Sequence, residues 1–487
     1  MNSPFAVASD LPASTAPHNT TSSPIWQWNA ADMAAAIARG DISSREAVES
    51  CLSRIERTNP RLNALTHVPT DTALSHADAA DAARSRGEKM GALHGVPITV
   101  KVNIDVAGQA TTHGVVAKRE QIATSNSPVV DNLLAAGAVI IGRSNTPAFS
   151  LRWFTDNALH GRTLNPWDDN ITPGGSSGGA ASAVAAGMCP IAHGNDLAGS
   201  VRYPAYACGV VGLRPTAGRL PSFTPTSGNL RTFAAQHFAV QGPIARTVHD
   251  VRLSLAAMAT RDVRDPVWVP VPLEGPPLGM APIVALVDEI EGVPIAPAVL
   301  AALQQAAGWL EDAGYTVVRV APPRMREAFD LWMGIAMTEI RVEFADAVEA
   351  MADADAVQAL RDMLHYHDPA TGLKEYIRSL AQRDALRRDW NQFLEQFPLL
   401  LMPTSCDLPF AWGLDQRGPE EMGRILAAQL PLKAIAALNL PGLSVPTGLC
   451  GTTPVGVQLV SRAFREDICL AAGEIIERAA NMPRAYK

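Results

Sequence analysis

The sequence predicts an α/β fold in which strands alternate with helices in packed layers. Between Gly91 and Pro221, short apolar runs such as VPITV (96–100) and AVIIG (138–142) are each followed by a polar or glycine-rich loop and an alanine-rich helical stretch. Alternation of this kind is typical of layered α/β proteins. The chain has 487 residues, 47% of them hydrophobic, which is enough to bury a large core.

The N-terminal part divides into a leader and the start of a folded domain. Residues 1–25 are rich in Ser, Thr, Pro and Ala with little to bury, and predict a loosely ordered leader ahead of one domain over 26–487. Ser43 and Glu46 have the spacing of a capping box, so we expect a helix that stops at Asn59-Pro60. A second helix is predicted from about residue 70 to residue 86.

The C-terminal half continues the alternation. The proline-rich stretch over about 262–282 predicts an exposed connection. Helices are predicted at about 297–313 and 338–397. The closing segments LNLPGLSVPTG and PVGVQLVS predict two strands joined by a turn.

Composition and charge exclude several classes of function. The net charge of −8 is spread without a basic stripe, so no nucleic-acid partner is predicted. No apolar stretch reaches the roughly 18 to 20 residues of a membrane span, and the first 25 residues hold no Lys or Arg, so we expect a cytoplasmic protein. The six cysteines form no C-x-x-C pair, and the histidines form no H-E-x-x-H motif. They predict free, mostly buried thiols and no metal site.

The segment TPGGSSGGAASAVAAG (172–187) is the most informative in the chain. Four glycines surround Ser176 and Ser177 at the entrance of an alanine-rich helix. Taken alone, this pattern fits a flexible turn capped by serine. It also fits a site where the backbone lets a substrate approach closely and the helix N-terminus favours developing negative charge.

Two further segments carry polar residues in unusual places. Lys101 ends an apolar strand in HGVPITVKVNIDVAG (94–108), and a second Gly/Ser element follows in HGNDLAGSVRYPA (193–205). A lysine at a strand end usually reaches out to water. In a dry pocket, however, its pKa falls, because desolvation disfavours the charged form, and it becomes a base near neutral pH.

Together the three segments resemble the amidase signature family. That family has an L-H-G-[VI]-P-x-x-[VL]-K strand, a PGGSSGG-like block and a G-x-D-x-x-G-S-x-R-x-P-A block, and all three occur here in that order. The resemblance implies Lys101 as base, Ser176 behind a cis peptide bond from Gly175, and Ser200, 24 positions after Ser176, as nucleophile. It implies a single large domain with a mixed, twisted sheet covered by helices on both faces, a core signature region at 90–221 and a variable substrate-pocket region at about 262–400.

The mechanism that the resemblance implies needs neither a metal nor an organic cofactor. Neutral Lys101 takes a proton from Ser176, which takes one from Ser200, so that Ser200 attacks an amide carbonyl and forms an acyl-enzyme. The oxyanion is held by backbone N–H groups of four successive residues, namely Leu197, Ala198, Gly199 and Ser200. Water then releases the acid.

Neighbouring residues are assigned supporting roles by the same resemblance. Asp196 and Arg202 are expected to brace the nucleophile, and Ser177 to support the site through hydrogen bonds. The chain departs from the family at three positions. Val102 replaces the Asp of K-D-N, Asn195 replaces the Thr of G-T-D, and Ala198 replaces a Gly. None of the three belongs to the triad, so we expect an active enzyme with an altered pocket.

Three other functions fit parts of the sequence. Gly175-Ser176-Ser177-Gly178-Gly179 also matches G-x-S-x-G, which would make Ser177 the nucleophile of an α/β-hydrolase, but no strand is predicted directly before it. The chain could instead be the glutaminase subunit of a tRNA-dependent amidotransferase. A catalytically dead scaffold is disfavoured, because all three triad positions are intact.

The sequence points to a small-molecule amide as substrate. By position in the family pattern, Ser150 and Trp153 are expected near the scissile group and the acyl pocket, and the helical region around Trp332 is expected to close it. An aromatic, mostly apolar pocket favours aryl or alkyl amides, with carbamates (urethanes) and esters accessible to the same chemistry. A monomer or homodimer is expected.

Overall fold

The computed structural model describes residues 23–228, 230–368 and 371–485. The predicted leader therefore lies outside the described residues, except for residues 23–25. The strands are β1 (Leu65–His67), β2 (Pro97–Lys101), β3 (Val139–Ser144), β4 (Ile191–Asp196), β5 (Val211–Arg214), β6 (Val240–Ala245), β7 (Ile283–Leu286), β8 (Thr316–Arg319), β9 (Leu399–Pro403), β10 (Gly442–Cys450) and β11 (Thr453–Val460).

Helices occupy most of the remaining chain. The α-helices are α1 (Ala30–Arg39), α2 (Ser44–Leu62), α3 (Thr70–Ser85), α4 (Pro128–Ala135), α5 (Gly178–Ala185), α6 (Arg202–Cys208), α7 (Phe233–His237), α8 (Val248–Met258), α9 (Pro297–Asp312), α10 (Met325–Trp332), α11 (Ala345–Met351), α12 (Ala354–Leu364), α13 (Leu373–Gln396), α14 (Pro419–Ala428), α15 (Leu430–Ala437) and α16 (Glu466–Ala480). Two π-helical segments, Met333–Met337 and Ile340–Phe344, follow α10. Across the described ranges, no helix is both long and apolar enough to cross a membrane.

All of these strands belong to one mixed sheet, in the order β1-β3-β2-β4-β6-β5-β10-β11-β9-β7-β8. The strands β3, β2 and β4 are parallel, as are β9, β7 and β8. The pairs from β4 through β6, β5, β10 and β11 to β9 are antiparallel, and so is the edge pair β1-β3. The predicted single α/β domain with a mixed sheet is confirmed.

Most predicted elements lie where the sequence places them, but one helix end does not. The Ser43 capping box is present: Glu46 N–H donates to Ser43 Oγ at 3.0 Å, and Ser43 N–H donates to Glu46 Oε2 at 2.7 Å. Helix α2 runs past Pro60 to Leu62, which corrects the predicted stop. Leu62 is buried, and the N–H of Asn63 caps the helix on the carbonyl of Asn59, so packing and the cap outweigh the one N–H that proline lacks.

The C-terminal elements also differ from the prediction in one respect. The two closing strands are present as the antiparallel pair β10-β11. The helical region predicted over 338–397 is divided, because the π-helical segments lead into the separate helices α11, α12 and α13. All six cysteines are free, and all but Cys450 are buried, as predicted.

The site-forming loops leave the sheet at neighbouring strand ends. β2 and β4 are adjacent and parallel, with Ile98 opposite Ile191. Lys101 is the last residue of β2 and Asp196 is the last of β4, so both emerge at one edge of the sheet. Helix α5 packs against β2 and β4. At its second residue, Gly179, a Cβ would lie 2.4 Å from the backbone nitrogen of Asn145, so this close approach requires glycine.

Candidate active site

The side chain of Lys101 is the centre of a buried hydrogen-bond cluster. Its Nζ lies within hydrogen-bond distance of three oxygen atoms, namely Ser176 Oγ at 2.7 Å, Asn195 Oδ1 at 2.8 Å and Ser177 Oγ at 3.1 Å. Lys101 is fully buried. Burial lowers the pKa of Lys101 well below its ordinary value, and the nearby charge of Asp196 opposes this only in part. The environment therefore favours a neutral amine that is in contact with a serine hydroxyl.

The two serines of the glycine-rich block are held at the start of α5. The peptide bond between Gly175 and Ser176 is cis, as the resemblance to the amidase signature family implies, and Ser177 is the residue that precedes the first turn of the helix. A Cβ on Gly175 would lie 2.3 Å from the carbonyl oxygen of Arg152. The glycines thus let the block pack directly onto a neighbouring backbone, and both serine side chains are buried against Lys101.

Ser200 lies beside this block and is the most exposed of the three proposed triad residues. It is 9% exposed, against 1% for Ser176. The Ser177 N–H donates to the Ser200 carbonyl at 3.2 Å, which holds the two segments together. Within the described part of the chain, the Ser200 hydroxyl makes no hydrogen bond, so the Ser200–Ser176 contact of the predicted relay is not formed in this structure.

Asp196 and Arg202 brace the segment that carries Ser200, together with Arg214, which is not predicted from the sequence. The Asp196 carboxylate accepts from the N–H groups of Gly199, at 2.8 Å, and Val201, at 3.2 Å. It also pairs with Arg202, at 3.0 Å, and with Arg214, at 3.3 Å. Burial alone would raise the pKa of Asp196, but the charges of Arg202 and Arg214 outweigh it and hold that pKa well below its ordinary value. The carboxylate therefore stays charged and fixes the turn.

The segment 197–200, called here the 197–200 loop, contains the four predicted oxyanion donors. The Gly199 N–H donates to the Asp196 carboxylate at 2.8 Å, whereas the N–H groups of Leu197, Ala198 and Ser200 have no hydrogen-bond acceptor among the described residues. Gly199 also allows the loop to pack closely against Leu432. Its φ is +100°, and a Cβ there would lie 2.5 Å from Leu432 Cδ1.

Two tryptophans donate hydrogen bonds to the backbone of this loop. The indole N–H of Trp153 donates to the carbonyl of Ala198 at 3.3 Å, and that of Trp332 donates to the carbonyl of Leu197 at 3.1 Å. Both side chains are buried. Trp153 and the helical region around Trp332 are predicted at the substrate pocket, and in the structure both tryptophans contact the backbone of the loop.

Asn195, one of the three positions that depart from the family pattern, contacts Lys101 through its side-chain amide. Its amide exchanges hydrogen bonds with Asn103, with Asn195 Nδ2 donating to Asn103 Oδ1 at 3.1 Å and Asn103 Nδ2 donating to Asn195 Oδ1 at 3.3 Å. Asn103 also donates to Ser150 Oγ at 3.0 Å. Ser150 is therefore linked to Lys101 through two amides. This pair is not predicted from the sequence, although Asn195 directly precedes the last residue of β4 and Asn103 lies two residues after the last residue of β2.

Val102 and Ser150 show how the surrounding loops are built. The Val102 side chain is buried, and its N–H donates to the carbonyl of Ser144 at 3.0 Å. Because this residue is valine, no carboxylate accompanies Lys101 at this position.

Phe149 and Ser150 have φ values of +52° and +61°, which non-glycine residues rarely adopt. The ring of Phe149 meets that of Phe344 edge to face at 5.0 Å. Aromatic surface therefore adjoins Ser150.

Comparison with known proteins identifies the family of this chain. A family model described as Amidase matches residues 46–470. An indoleacetamide hydrolase from Bradyrhizobium diazoefficiens is 44% identical over 94% of this chain and 88% of its own length. A glutamyl-tRNA(Gln) amidotransferase component from Chloroflexus aurantiacus is 34% identical over 91% of this chain and 95% of its own length.

A solved structure extends the likeness to three dimensions. A bacterial aryl acylamidase of the amidase signature family superposes with a TM-score of 0.80 at 26% identity, over 94% of this chain and 97% of that one. The family match covers most of the chain, and its relatives include named amide hydrolases. The chain therefore belongs to the amidase signature family and is an amide hydrolase that cleaves C–N bonds.

Proposed function

We propose that the protein hydrolyses small arylacetamides, with indoleacetamide as the first candidate, to the acid and ammonia. The observation that carries the catalytic part is the 2.7 Å contact between the buried amine of Lys101 and the hydroxyl of Ser176. The substrate class is supported by the 44% identical relative named as an indoleacetamide hydrolase. Aromatic side chains beside the site, Trp153 and Phe149, suit an aryl group.

The proposed reaction proceeds through an acyl-enzyme. Neutral Lys101 accepts a proton from Ser176 while Ser176 accepts one from Ser200, after the Ser200 hydroxyl rotates toward it. The bond between Ser200 Oγ and the carbonyl carbon forms, and the oxyanion is held by the N–H groups of the 197–200 loop, a contribution of several kcal/mol in such sites, on the order of 3 to 4 for one donor. The proton then passes from Lys101 through Ser176 to the nitrogen of the leaving group as the C–N bond breaks. Water then attacks the acyl group by the same proton route.

The same chemistry extends to related acyl compounds. Aryl carbamates (urethanes) and esters have a carbonyl group that Ser200 could attack in the same way as that of an amide. We propose them as secondary substrates. Glutaminase activity within an amidotransferase is a second candidate function, because the amidotransferase relative is 34% identical to this chain.

The contacts of the Ser177 hydroxyl oppose its assignment as the nucleophile of an α/β-hydrolase. A nucleophilic serine in that class needs a histidine to accept its proton. Among the described residues, the Ser177 hydroxyl contacts Lys101 and the Asn195 carbonyl, and no histidine. A supporting role for Ser177 fits these contacts better.

The test is ammonia or acid release from indoleacetamide, phenylacetamide, an aryl carbamate, an ester and glutamine. Ser200→Ala should lower kcat at least about 10⁴-fold, because it removes the nucleophile. Ser177→Ala should lower kcat about 10-fold, since it removes one of the three hydrogen-bond partners of Lys101. Ser85→Ala, at an exposed serine, is the matched control.

Each alternative has its own outcome in this experiment. Turnover that survives Ser200→Ala but disappears in Ser177→Ala would assign the nucleophile to Ser177. Release of ammonia from glutamine alone would favour the amidotransferase function. Arylacetamide turnover that depends on Ser200 and is unchanged in Ser85→Ala supports the proposal.

A further inference from the structure

Lys433 is a second fully buried lysine, and it lies close to the 197–200 loop. It belongs to α15, which packs against α10, the helix that ends at Trp332. Among the described residues, its Nζ has neither a hydrogen-bond acceptor nor an ion-pair partner. The preceding residue, Leu432, lies against Gly199, and its carbonyl accepts from Arg202 at 2.9 Å. The amine is therefore buried behind the proposed site without an oxygen to bind.

Three aromatic rings take the place of that oxygen. The Lys433 Nζ lies 4.4 Å from the ring centre of Trp153, 5.1 Å from that of Phe329 and 5.5 Å from that of Trp332. These distances are within the range of attraction between an amine or ammonium N–H and the face of an aromatic ring. In either protonation state, the N–H groups of Lys433 have only these ring faces as acceptors within the described chain.

Two of these rings are the ones that bind the loop. A contact on the face of an indole fixes the plane of the ring, and a hydrogen bond from its N–H fixes the direction of the ring edge. Trp332 donates to the carbonyl of Leu197, and Trp153 to that of Ala198. Because the C=O and N–H of a trans peptide point in opposite directions, holding the Leu197 carbonyl aims the N–H of Ala198 the other way.

We propose that Lys433 is a positioning residue for amide hydrolysis, whose amino group fixes the Trp153 and Trp332 rings and, through them, the peptide planes on either side of Ala198, including the Ala198 N–H donor of the 197–200 loop. This inference rests on the function proposed above, since it takes that loop to hold the oxyanion. A leucine or methionine would fill the same space without burying a polar group, so the amine is better explained by a directional contact than by packing. The matching energetic role is preorganisation of donors before the reaction.

The test is a double-mutant cycle of Lys433→Met and Trp332→Phe with kcat and KM measured on indoleacetamide, or on whichever amide of the panel is turned over fastest. Lys433→Met keeps the volume and removes the N–H groups, and Trp332→Phe keeps a ring and removes the indole N–H. Each should lower kcat about 10-fold with KM changed less than about two-fold, and the double variant should also lose about 10-fold rather than about 100-fold. Lys374→Met, at an exposed lysine, should be unchanged.

Additive losses, or a kcat for Lys433→Met within two-fold of the unmodified enzyme, would overturn the inference. If Lys433→Met does not fold, as judged by circular dichroism, Trp332→Phe decides: an unchanged kcat overturns the inference, and a loss confined to kcat supports it. Failure of the proposed function has a different signature, because it appears as turnover by Ser200→Ala.

Discussion

Lys101 and Lys433 are both fully buried, and burial lowers the pKa of each well below its ordinary value, yet their surroundings differ. Lys101 contacts three oxygen atoms, on Ser176, Ser177 and Asn195. Lys433 contacts three aromatic rings. A hydroxyl can exchange a proton with an amine, whereas a ring face can only attract it. The groups in contact with a buried lysine, rather than its burial, therefore indicate whether it can act as a base.

The largest expected effect comes from removing Lys101, the proposed base. Lys101→Met should lower kcat about 10³-fold or more, because the Ser176 hydroxyl then has no group to accept its proton. The comparison predicts a loss far larger than that of Lys433→Met. Steady-state kinetics on the same amide measures both, with Lys89→Met at an exposed site as control. Equal losses in the two variants would remove the distinction between base and positioning residue.

A second prediction concerns the oxygen acceptor that distinguishes this chain from its family. Asn195→Asp places a carboxylate where Asn195 Oδ1 accepts from Lys101 at 2.8 Å, which favours the charged amine and raises the pKa of Lys101. In the proposed mechanism, activity requires the neutral amine and falls as pH falls through that pKa. The acid limb of the kcat profile should therefore move to higher pH by about 1 to 2 units.

Asn195→Thr is the matched control for this prediction, because it carries the usual family residue and adds no charge. Its acid limb should stay within about half a unit of the unmodified enzyme. An unmoved limb in Asn195→Asp would mean that a group other than Lys101 sets the acid limb.

The smallest expected effect is on stability. Because burial depresses the pKa of Lys433 in the folded state, the unfolded state binds a proton more readily below the ordinary value of 10.5, and stability is lost as pH falls from there. Lys433→Met lacks this loss. Between about pH 10 and pH 7, the free energy of unfolding of the unmodified enzyme should fall by about 1 kcal/mol or more beyond that of the variant.

Chemical denaturation at the two pH values measures this difference, and Lys374→Met should follow the unmodified enzyme. Parallel pH dependence in Lys433→Met and the unmodified enzyme would show that the ring faces offset burial and keep Lys433 charged.

The sequence could predict the parts of the fold and site that depend on local pattern. An apolar run ending in Lys101 and a glycine block around Ser176 are local signals, and both segments lie at the ends of the expected elements. The continuation of α2 past Pro60 depends on the burial of Leu62, which no local pattern reveals.

Lys433 marks the limit of such reasoning within the site. Its surroundings in the chain, LPLKAIAAL, are apolar like those of Lys101, and a lysine there is usually expected to reach water. Only the packing of α15 against α10 brings it to Trp332. The hydrogen bond from the Gly199 N–H to Asp196 likewise depends on a turn geometry that the amino-acid sequence does not reveal.

The position of Trp332 has a consequence for how this enzyme can change. It ends α10, within the 262–400 region that the sequence assigns to substrate choice, and it also holds the carbonyl of Leu197. Selection for a new substrate that reshapes this region would disturb the loop beside the nucleophile at the same time. With the site proposed above, changes in specificity at Trp332 also change turnover, and variants that broaden the substrate range should keep Trp332 or restore its hydrogen bond elsewhere.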